Sequence, residues 1–477
     1  MFFQEWNLDG VHPPNHPMQY EQHEGDAVPC KENTVLLEWL YRSTVREATG
    51  AAVLSLRSSR CGCACYDRPC RLLKHRHHKR RHCAIVIRRV GRNMKKIAFS
   101  GTLDPITNGH MWVIGEALAI ADEVIVFLSE NPAKKPHFPA AMRKDIIERS
   151  VAERGWTQVR VVIVNGDYTA RAAKKHGIDY IIRGIRNNAD FDYENLIQQT
   201  NVDVLGGAKT IFVMPPRDLG SVSSSFVKAL EGPVGWHWHM KKFVPKPAYD
   251  AWISDWLRKE WNGLWSGLPA GDDAHDAPSA WFDVLVGDAC YGAVTRRYHN
   301  IEHLVHGLSE LQVWAADTGA PPEELAALKK AFWFHDAVYA HAPGQASDEE
   351  ASARMWLDSG LERQPGDGQA VADLIRATDH FQEASITHPL KQVMRGADLA
   401  ILGQDDDVYD AYAEAIRMEY GHVPTDAYRA HRCKALAHLH GKARAGTLYG
   451  DAYFADQYND RAIANMGREI AALGGRP

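Results

Sequence analysis

Three groups of residues combine types and spacings that could do chemistry. The first runs Gly101-Thr102-Leu103-Asp104-Pro105-Ile106-Thr107-Asn108-Gly109-His110. Gly101 permits a tight exit from a strand, and His110 falls in the first turn of the next helix. Unpaired backbone N–H groups and the positive end of the helix dipole attract phosphate there. An imidazole so placed can donate to a phosphate oxygen as charge develops, without acting as a nucleophile. Cations and hydroxyls follow later in the chain: Lys134 and Lys135 after Asn131, Arg183 and Arg186 in Arg-Gly-Ile-Arg, then Arg217 and the run Ser221–Ser225. Taken singly, Arg183 or Arg186 could instead pair with Asp190, Asp192 or Glu194, and Lys135 reads as solvated.

The second group is a set of metal-ligand types. Arg297–His303 opens an amphipathic helix with an apolar stripe at Ile301, Leu304, Leu308 and Leu311, and puts His299 and His303 four apart on one face. His335-Asp336 sits inside an apolar helical stretch, and Asp398 lies in a similar setting. A mixed nitrogen and oxygen set of this kind suits Mn²⁺, Fe²⁺, Mg²⁺ or Zn²⁺. Charge on Asp336 and Asp398 in such surroundings is costly without a metal or a partner. Asp379-His380 is an outer shell to this set, a second metal site or a satisfied surface pair, and His306 reads as structural. The third group, Cys61, Cys63, Cys65 and Cys70 before a run of Arg, Lys and His, offers a metal knuckle or a basic nucleic-acid arm. Its C-x-C-x-C spacing departs from the usual zinc patterns.

The elements that must position these residues divide the 477-residue chain into zones. Residues 1–93 hold no sustained period. They read as a disordered leader, or as translated sequence upstream of a start at Met94. From Met94, short apolar runs alternate with helical stretches. The expected strands are Ile97–Ser100, Val124–Leu128, Val159–Val164, Tyr180–Ile182 and Thr210–Met214; helices are expected at His110–Ala121, Met142–Arg154 and Thr169–His176. This alternation predicts a parallel sheet covered on both faces. Ligands of such sheets sit beyond the carboxyl ends of the strands, which is where the first group of residues falls. After about Trp252 the strands stop and helices alternate with Gly/Pro/Asp-rich loops. The fold class is therefore α/β plus all-α, with domains at 94–248 and 249–477.

Composition narrows the function classes. Apolar residues make up 45% and charged residues 24%, and the net charge is −5. This is the make-up of a globular protein with no global attraction to nucleic acid or anionic membranes. No apolar run approaches the ~20 residues that span a bilayer, and the acidic start is not a secretory signal. Six of the eight cysteines lie between Cys30 and Cys83, so the rest of the chain needs no disulfides. A cytoplasmic protein is expected.

The segment GTLDPITNGH resembles the T/HxGH signature of the nucleotidylyltransferase superfamily. With NPAKKPHF, IIRGIRNNADFDYE and SVSSSFVK, residues 94–248 look like bacterial phosphopantetheine adenylyltransferase, about a third of the chain. The resemblance implies a Rossmann-like domain that joins ATP, carried with Mg²⁺, to 4′-phosphopantetheine. It implies acceptor contacts at Thr102, Lys134, Thr169 and Arg183. ATP contacts are implied at Thr102, Leu103, His110, Gly184, Ile185, Arg186, Glu194 and along Leu219, Gly220, Ser221, Val222, Ser223, Ser224 and Ser225. His110, Lys134 and Arg186 are the implied catalytic groups, and a hexamer is the implied assembly. Gly220-Ser221 and Asn187-Asn188 depart from the family pattern, which bears on the acceptor more than on the chemistry. Nicotinamide mononucleotide, or a polyol phosphate with CTP, is the alternative.

Residues 255–475 resemble the HD phosphohydrolase superfamily, in its predicted metal-dependent branch. That resemblance implies His303, His335, Asp336 and Asp398 as metal ligands. The stretch YHNIEH is similar to the cyclic-nucleotide phosphodiesterase motif, which makes His299 the candidate general acid. The substrate expected is a phosphate ester or nucleotide. The alternative is a non-catalytic sensing module.

Overall fold

The computed structural model describes residues 94–130, 135–204, 206–266, 276–340, 346–362, 366–380 and 386–476. The expectations for residues 1–93, and for Lys134, lie outside the described residues.

Five short β-branched runs form strands β1 (Lys96–Gly101), β2 (Glu123–Ser129), β3 (Val159–Val164), β4 (Tyr180–Gly184) and β5 (Lys209–Val213). They pair in parallel in the order β3-β2-β1-β4-β5. All five expected strands are present, with ends shifted by no more than two residues. Period-two alternation splits the sheet between two cores. Ile97, Phe99, Val124, Val126 and Ile182 face one way, and Ala98, Ile125, Phe127 and Ile181 face the other. Burial on both faces is why these strands read as unbroken apolar runs.

Helices α1 (Asn108–Ile120), α2 (Ala140–Glu153), α3 (Thr169–His176) and α4 (Asn188–Gln199) connect the strands. The chain leads from β1 outward to β2 and β3, then returns to lay β4 on the other side of β1. The order therefore reverses between β1 and β4, which opens a crevice at their carboxyl ends. Beyond β5 come α5 (Ser224–Lys228), α6 (Trp236–Phe243) and α7 (Lys246–Leu264). Pro245 caps α7 and Pro247 sits in its first turn, where a missing N–H costs nothing.

The remainder is helical: α8 (Asp276–Val286), α9 (Ile301–Thr318), α10 (Pro322–Phe334), α11 (Asp348–Asp358), α12 (Asp367–Arg376), α13 (Lys391–Leu399), α14 (Asp406–Glu419), α15 (Thr425–Arg444) and α16 (Ala452–Ala472). One buried apolar cluster runs unbroken from Ile97 in β1 through Trp252, Trp256 and Trp261 of α7 to Ile470 in α16. α7 is buried on most of its circumference because it serves both layers. Among the described residues no helix is long and apolar enough to cross a membrane.

Candidate active site

A cleft of about 510 Å³ opens at the carboxyl ends of β1 and β4. Its histidine is set by local structure. Thr107 caps α1: its Oγ1 accepts from the His110 N–H at 3.4 Å, and the Thr107 N–H donates to His110 Nδ1 at 3.0 Å. This is a capping box in which an imidazole takes the place usual for Glu or Gln. Because Nδ1 accepts a backbone proton, the neutral ring carries its own proton on Nε2. Burial, with the Arg186 charge as a lesser cause, lowers the His110 pKa to about 4. Near neutral pH the ring is an uncharged Nε2–H donor.

Three cations of the cleft, Arg183, Arg186 and Lys228, are each held by a carboxylate. Arg186 forms a two-pronged pair with Asp190 at 2.7 and 3.0 Å, and Arg183 Nε lies 3.1 Å from Glu194. Arg183 also donates to the Ser100 carbonyl. The pairings that these arginines could make if taken singly do occur, yet both guanidiniums still line the cleft. One further group, Lys228, is not singled out by the sequence. Lys228 at the end of α5 pairs with Asp104, and Asp104 accepts the His137 N–H at 2.6 Å and the Phe138 N–H at 3.0 Å. Burial raises the Asp104 pKa, but Lys228 and the two N–H donors outweigh it, and the net shift is downward. Lys228 ends the SVSSSFVK run, so its signal in the sequence is its place in that motif.

The remaining expected residues divide. Thr102, Leu103, Gly184, Leu219, Val222, Ser223, Ser224 and Ser225 line the cleft with His110, Arg183, Arg186 and Glu194. Ser224 donates to the Pro105 carbonyl at 2.8 Å, and the buried Arg143 holds the Thr102 carbonyl at 2.6 Å, so the β1 loop is pinned from both sides. Ile185, Gly220 and Ser221 do not line the cleft. Ile185 is buried with its N–H on Val213, and Ser221 points to solvent. Thr169 stands one residue back, its hydroxyl 3.4 Å from Ser100, which does line the cleft. Lys135 is exposed, as expected, but at the cleft wall.

Residues 98–230 match the family model described as cytidylyltransferase-like. The chain is 35% identical over 161 residues to the phosphopantetheine adenylyltransferase of Chromobacterium violaceum, a match covering 34% of this chain and 97% of that protein. The protein of the same name from Neisseria meningitidis serogroup C is 32% identical, over 34% of this chain and 94% of that one. That of Actinobacillus succinogenes is 35% identical over 158 residues, 33% of this chain and 94% of its own. The chain belongs to the phosphopantetheine adenylyltransferase family. The sheet and its cleft are the part of this family member that those relatives match.

The helical remainder carries a second cluster. His303 Nε2 and His335 Nε2 face each other at 3.0 Å. Asp336 Oδ2 lies 3.1 Å from His335 and 3.5 Å from His303, and Asp398 Oδ1 lies 3.4 Å from both. Separations of this size are the edges of a coordination shell with bonds of about 2.0–2.2 Å. Two imidazole nitrogens at 3.0 Å need a proton or a cation between them. Burial opposes a proton on His335, but the Asp336 and Asp398 carboxylates raise its pKa to about 10. The donor set thus fits a divalent cation. His380 Nε2 is 2.9 Å from Asp398 Oδ2, the place of an outer-shell group.

Two positional expectations here are corrected. His335 and Asp336 do not lie inside a helix. α10 ends at Phe334 and His335 is its cap, because the chain turns there and the Arg296 guanidinium takes the Asp336 and Ala337 carbonyls at 2.6 and 2.9 Å. His299 does not share a helical face with His303, because Asn300 caps α9 and His299 precedes it. Its placement comes from Glu419 at the end of α14. One oxygen of that carboxylate accepts the N–H groups of Arg297, Tyr298 and His299 at 2.7–2.9 Å, and the other lies 2.8 Å from His299 Nδ1. Burial pushes the Glu419 pKa up, but the imidazole and these N–H donors bring it down to about 2. His306 pairs with Glu310 at 3.0 Å, the structural role expected of it.

Proposed function

We propose that the sheet cleft transfers the adenylyl group of Mg²⁺-bound ATP to 4′-phosphopantetheine, giving dephospho-coenzyme A and pyrophosphate. The observation that carries this reading is the convergence of His110, Arg183, Arg186, Lys228 and Ser223–Ser225 on one crevice at the point where the strand order reverses. The names of the relatives supply the acceptor.

An oxygen of the acceptor phosphate attacks the α-phosphorus in line, and the bond to the pyrophosphate oxygen breaks. The nucleophile is already ionised, so positioning and charge neutralisation matter more than a base. His110 Nε2–H donates to an oxygen on the α-phosphoryl group as its charge develops. Arg186 exchanges its Asp190 partner for phosphate oxygens, and Arg183 and Lys228 serve the acceptor side. Pyrophosphate release measured with 4′-phosphopantetheine, nicotinamide mononucleotide and a polyol phosphate with CTP tests the reading. Turnover with either of the last two but not the first removes the acceptor assignment. A second copy of the chain is the expected partner in assembly, supported by α4, which buries none of its residues and exposes Phe191, Tyr193 and Leu196.

For the helical part we propose a divalent-metal phosphohydrolase, with His303, His335, Asp336 and Asp398 as ligands. The mixed N₂O₂ set favours Mn²⁺, Fe²⁺ or Zn²⁺ over Mg²⁺. The bound ion supplies Lewis acidity toward a phosphoryl oxygen. His299, held by Glu419 through Nδ1, presents Nε2 to protonate the leaving oxygen, and His380 fixes the orientation of Asp398. Metal analysis of the full chain and of Asp336→Ala, followed by a panel of phosphate esters, tests this. Bound metal without hydrolysis of any ester would favour the sensing-module alternative; absence of metal would remove the hydrolase.

A further inference from the structure

The loop between β1 and α1 turns at Leu103, whose φ is +49°. Among the described residues, every other residue with a backbone of this hand is a glycine. The left-handed region is unfavourable for an L-residue with a Cβ, and leucine has no polar side chain to offset it. Such a conformation persists only where its surroundings over-determine it. Leu103 is buried, and its side chain folds back over Gly101, where a Cβ would meet Leu103 Cδ2 at 3.0 Å. This packing explains why residue 101 has no side chain. It leaves open what fixes the direction of the peptide before Leu103.

Arg143, in the first turn of α2, supplies that constraint. Its Nη1 donates to the Thr102 carbonyl at 2.6 Å and its Nε to the Phe138 carbonyl at 2.9 Å. One guanidinium fork therefore ties the β1 loop to the segment before α2. Asp104, on the other side of Leu103, accepts the His137 and Phe138 N–H groups and is tied to the same segment. The cation itself is poorly compensated. Its side chain is 1% exposed, and the Glu130 carboxylate facing it stands at 3.8 Å and is itself 42% exposed. Arg143 Nη2 has no hydrogen-bond partner among the described residues. Burying a charge with so distant a partner is unfavourable, and an apolar side chain of similar volume would serve packing better. What the guanidinium adds is a rigid fork that holds two carbonyls in fixed directions.

In a planar trans peptide the C=O and the following N–H point in opposite directions. With the Thr102 carbonyl turned onto the buried Arg143, the Leu103 N–H turns away from α2 and meets no acceptor among the described residues. Thr102, Leu103 and Asp104 line the cleft with His110, whereas Arg143 stands behind the loop and does not. We propose that Arg143 is a positioning residue for adenylyl transfer. It holds the Thr102–Leu103 peptide in its left-handed turn, so that the Leu103 N–H is aimed at phosphate oxygen before charge develops there. The inference rests on the transferase reading of the cleft. Arg143 touches no substrate and acts only through this peptide.

The test is steady-state pyrophosphate release by the full chain, at a temperature where circular dichroism shows each variant folded, together with crystals of the variants. Arg143→Met fills the space without the fork. It is expected to lower kcat by at least ~10-fold while the KM for ATP moves less than ~2-fold, the split that marks a contact made in the transition state. Its crystal is expected to show the Thr102–Leu103 peptide turned and Leu103 at negative φ. Arg143→Lys, which keeps one donor for the Thr102 carbonyl, is expected to recover at least ~3-fold of that loss. Leu103→Val keeps Arg143 but opposes the left-handed backbone through its branched Cβ, and is expected to lower kcat likewise. It carries the test if Arg143→Met does not fold. A wild-type kcat in Leu103→Val overturns the proposal. So does a lowered melting temperature with kcat unchanged in Arg143→Met, or a lowered kcat with Leu103 still at positive φ. No pyrophosphate release by the wild type with any acceptor would instead remove the transferase reading itself, and the proposal with it.

Discussion

His110 illustrates how a side chain gains a role from its immediate neighbours. Thr107 fixes its tautomer, and burial keeps it neutral well below the usual imidazole range. His110→Ala should therefore lower kcat for pyrophosphate release by about 10²–10³, the usual effect of removing one such donor, with little change in the KM for ATP. The pH dependence carries a definite sign. A folded pKa near 4, below the unfolded 6.5, means that the unfolded chain binds the extra proton first between those values. Stability contributed by the neutral ring is present above about pH 6.5 and is lost as pH falls toward 4. A rate profile should show no imidazole inflection between pH 6 and 8, and such an inflection that vanishes in His110→Ala would contradict the assignment. Glu419 shows the same sign at lower pH. Its carboxyl, held near 2 by four donors, stabilises the fold above about pH 4.5 and loses that contribution as pH falls toward 2. Glu419→Gln should cost on the order of 3 kcal/mol at pH 7, from the pKa displacement. It should also lower hydrolysis of esters with poor leaving groups more than of activated ones, if His299 is the proton donor. Thermal melts and a leaving-group series would read the two effects.

Elements decide which of these residues meet. α1, β4 and α5 come from distant parts of the chain, yet the reversal of strand order between β1 and β4 brings their ends to one crevice. α7 joins the cleft to the helical layer: Trp252 stacks on the His137 ring at 4.1 Å, and the His137 N–H holds Asp104. α4 does the reverse and faces outward with apolar residues. If a second copy covers it, Leu196→Glu should lower the oligomer mass seen by light scattering while leaving the circular-dichroism spectrum of the chain intact. An unchanged mass would mean that α4 is not an interface.

At the scale of the whole molecule, the apolar core does not stop where the strands do. Because Trp252, Ile253, Trp256 and Leu257 are buried in the cluster that also holds the α1–α2 face of the sheet, a cut at residue 248 strips the sheet layer of a covering helix. A fragment 94–248 should melt at least several degrees below 94–266, since losing even one buried tryptophan typically costs about 3–5 kcal/mol. Equal melting temperatures would show that the sheet layer ends its own core before α7.

Much was legible from the residues alone. Five strands, their parallel pairing and the edge of the sheet where chemistry gathers follow from short apolar runs and strand–helix alternation, while the twelve expected residues that line the cleft come from the motifs together with the family they resemble. These are local signals, and neighbouring residues in the chain carry them. What only the tertiary structure decided is partnership across long separations: Lys228 on Asp104, α7 as a shared wall, and above all Glu419 cradling a loop 120 residues upstream. A carboxylate on an amphipathic helix looks the same in sequence whether it faces water or three backbone N–H groups. Only the packing of α14 against the segment before α9 makes it the latter.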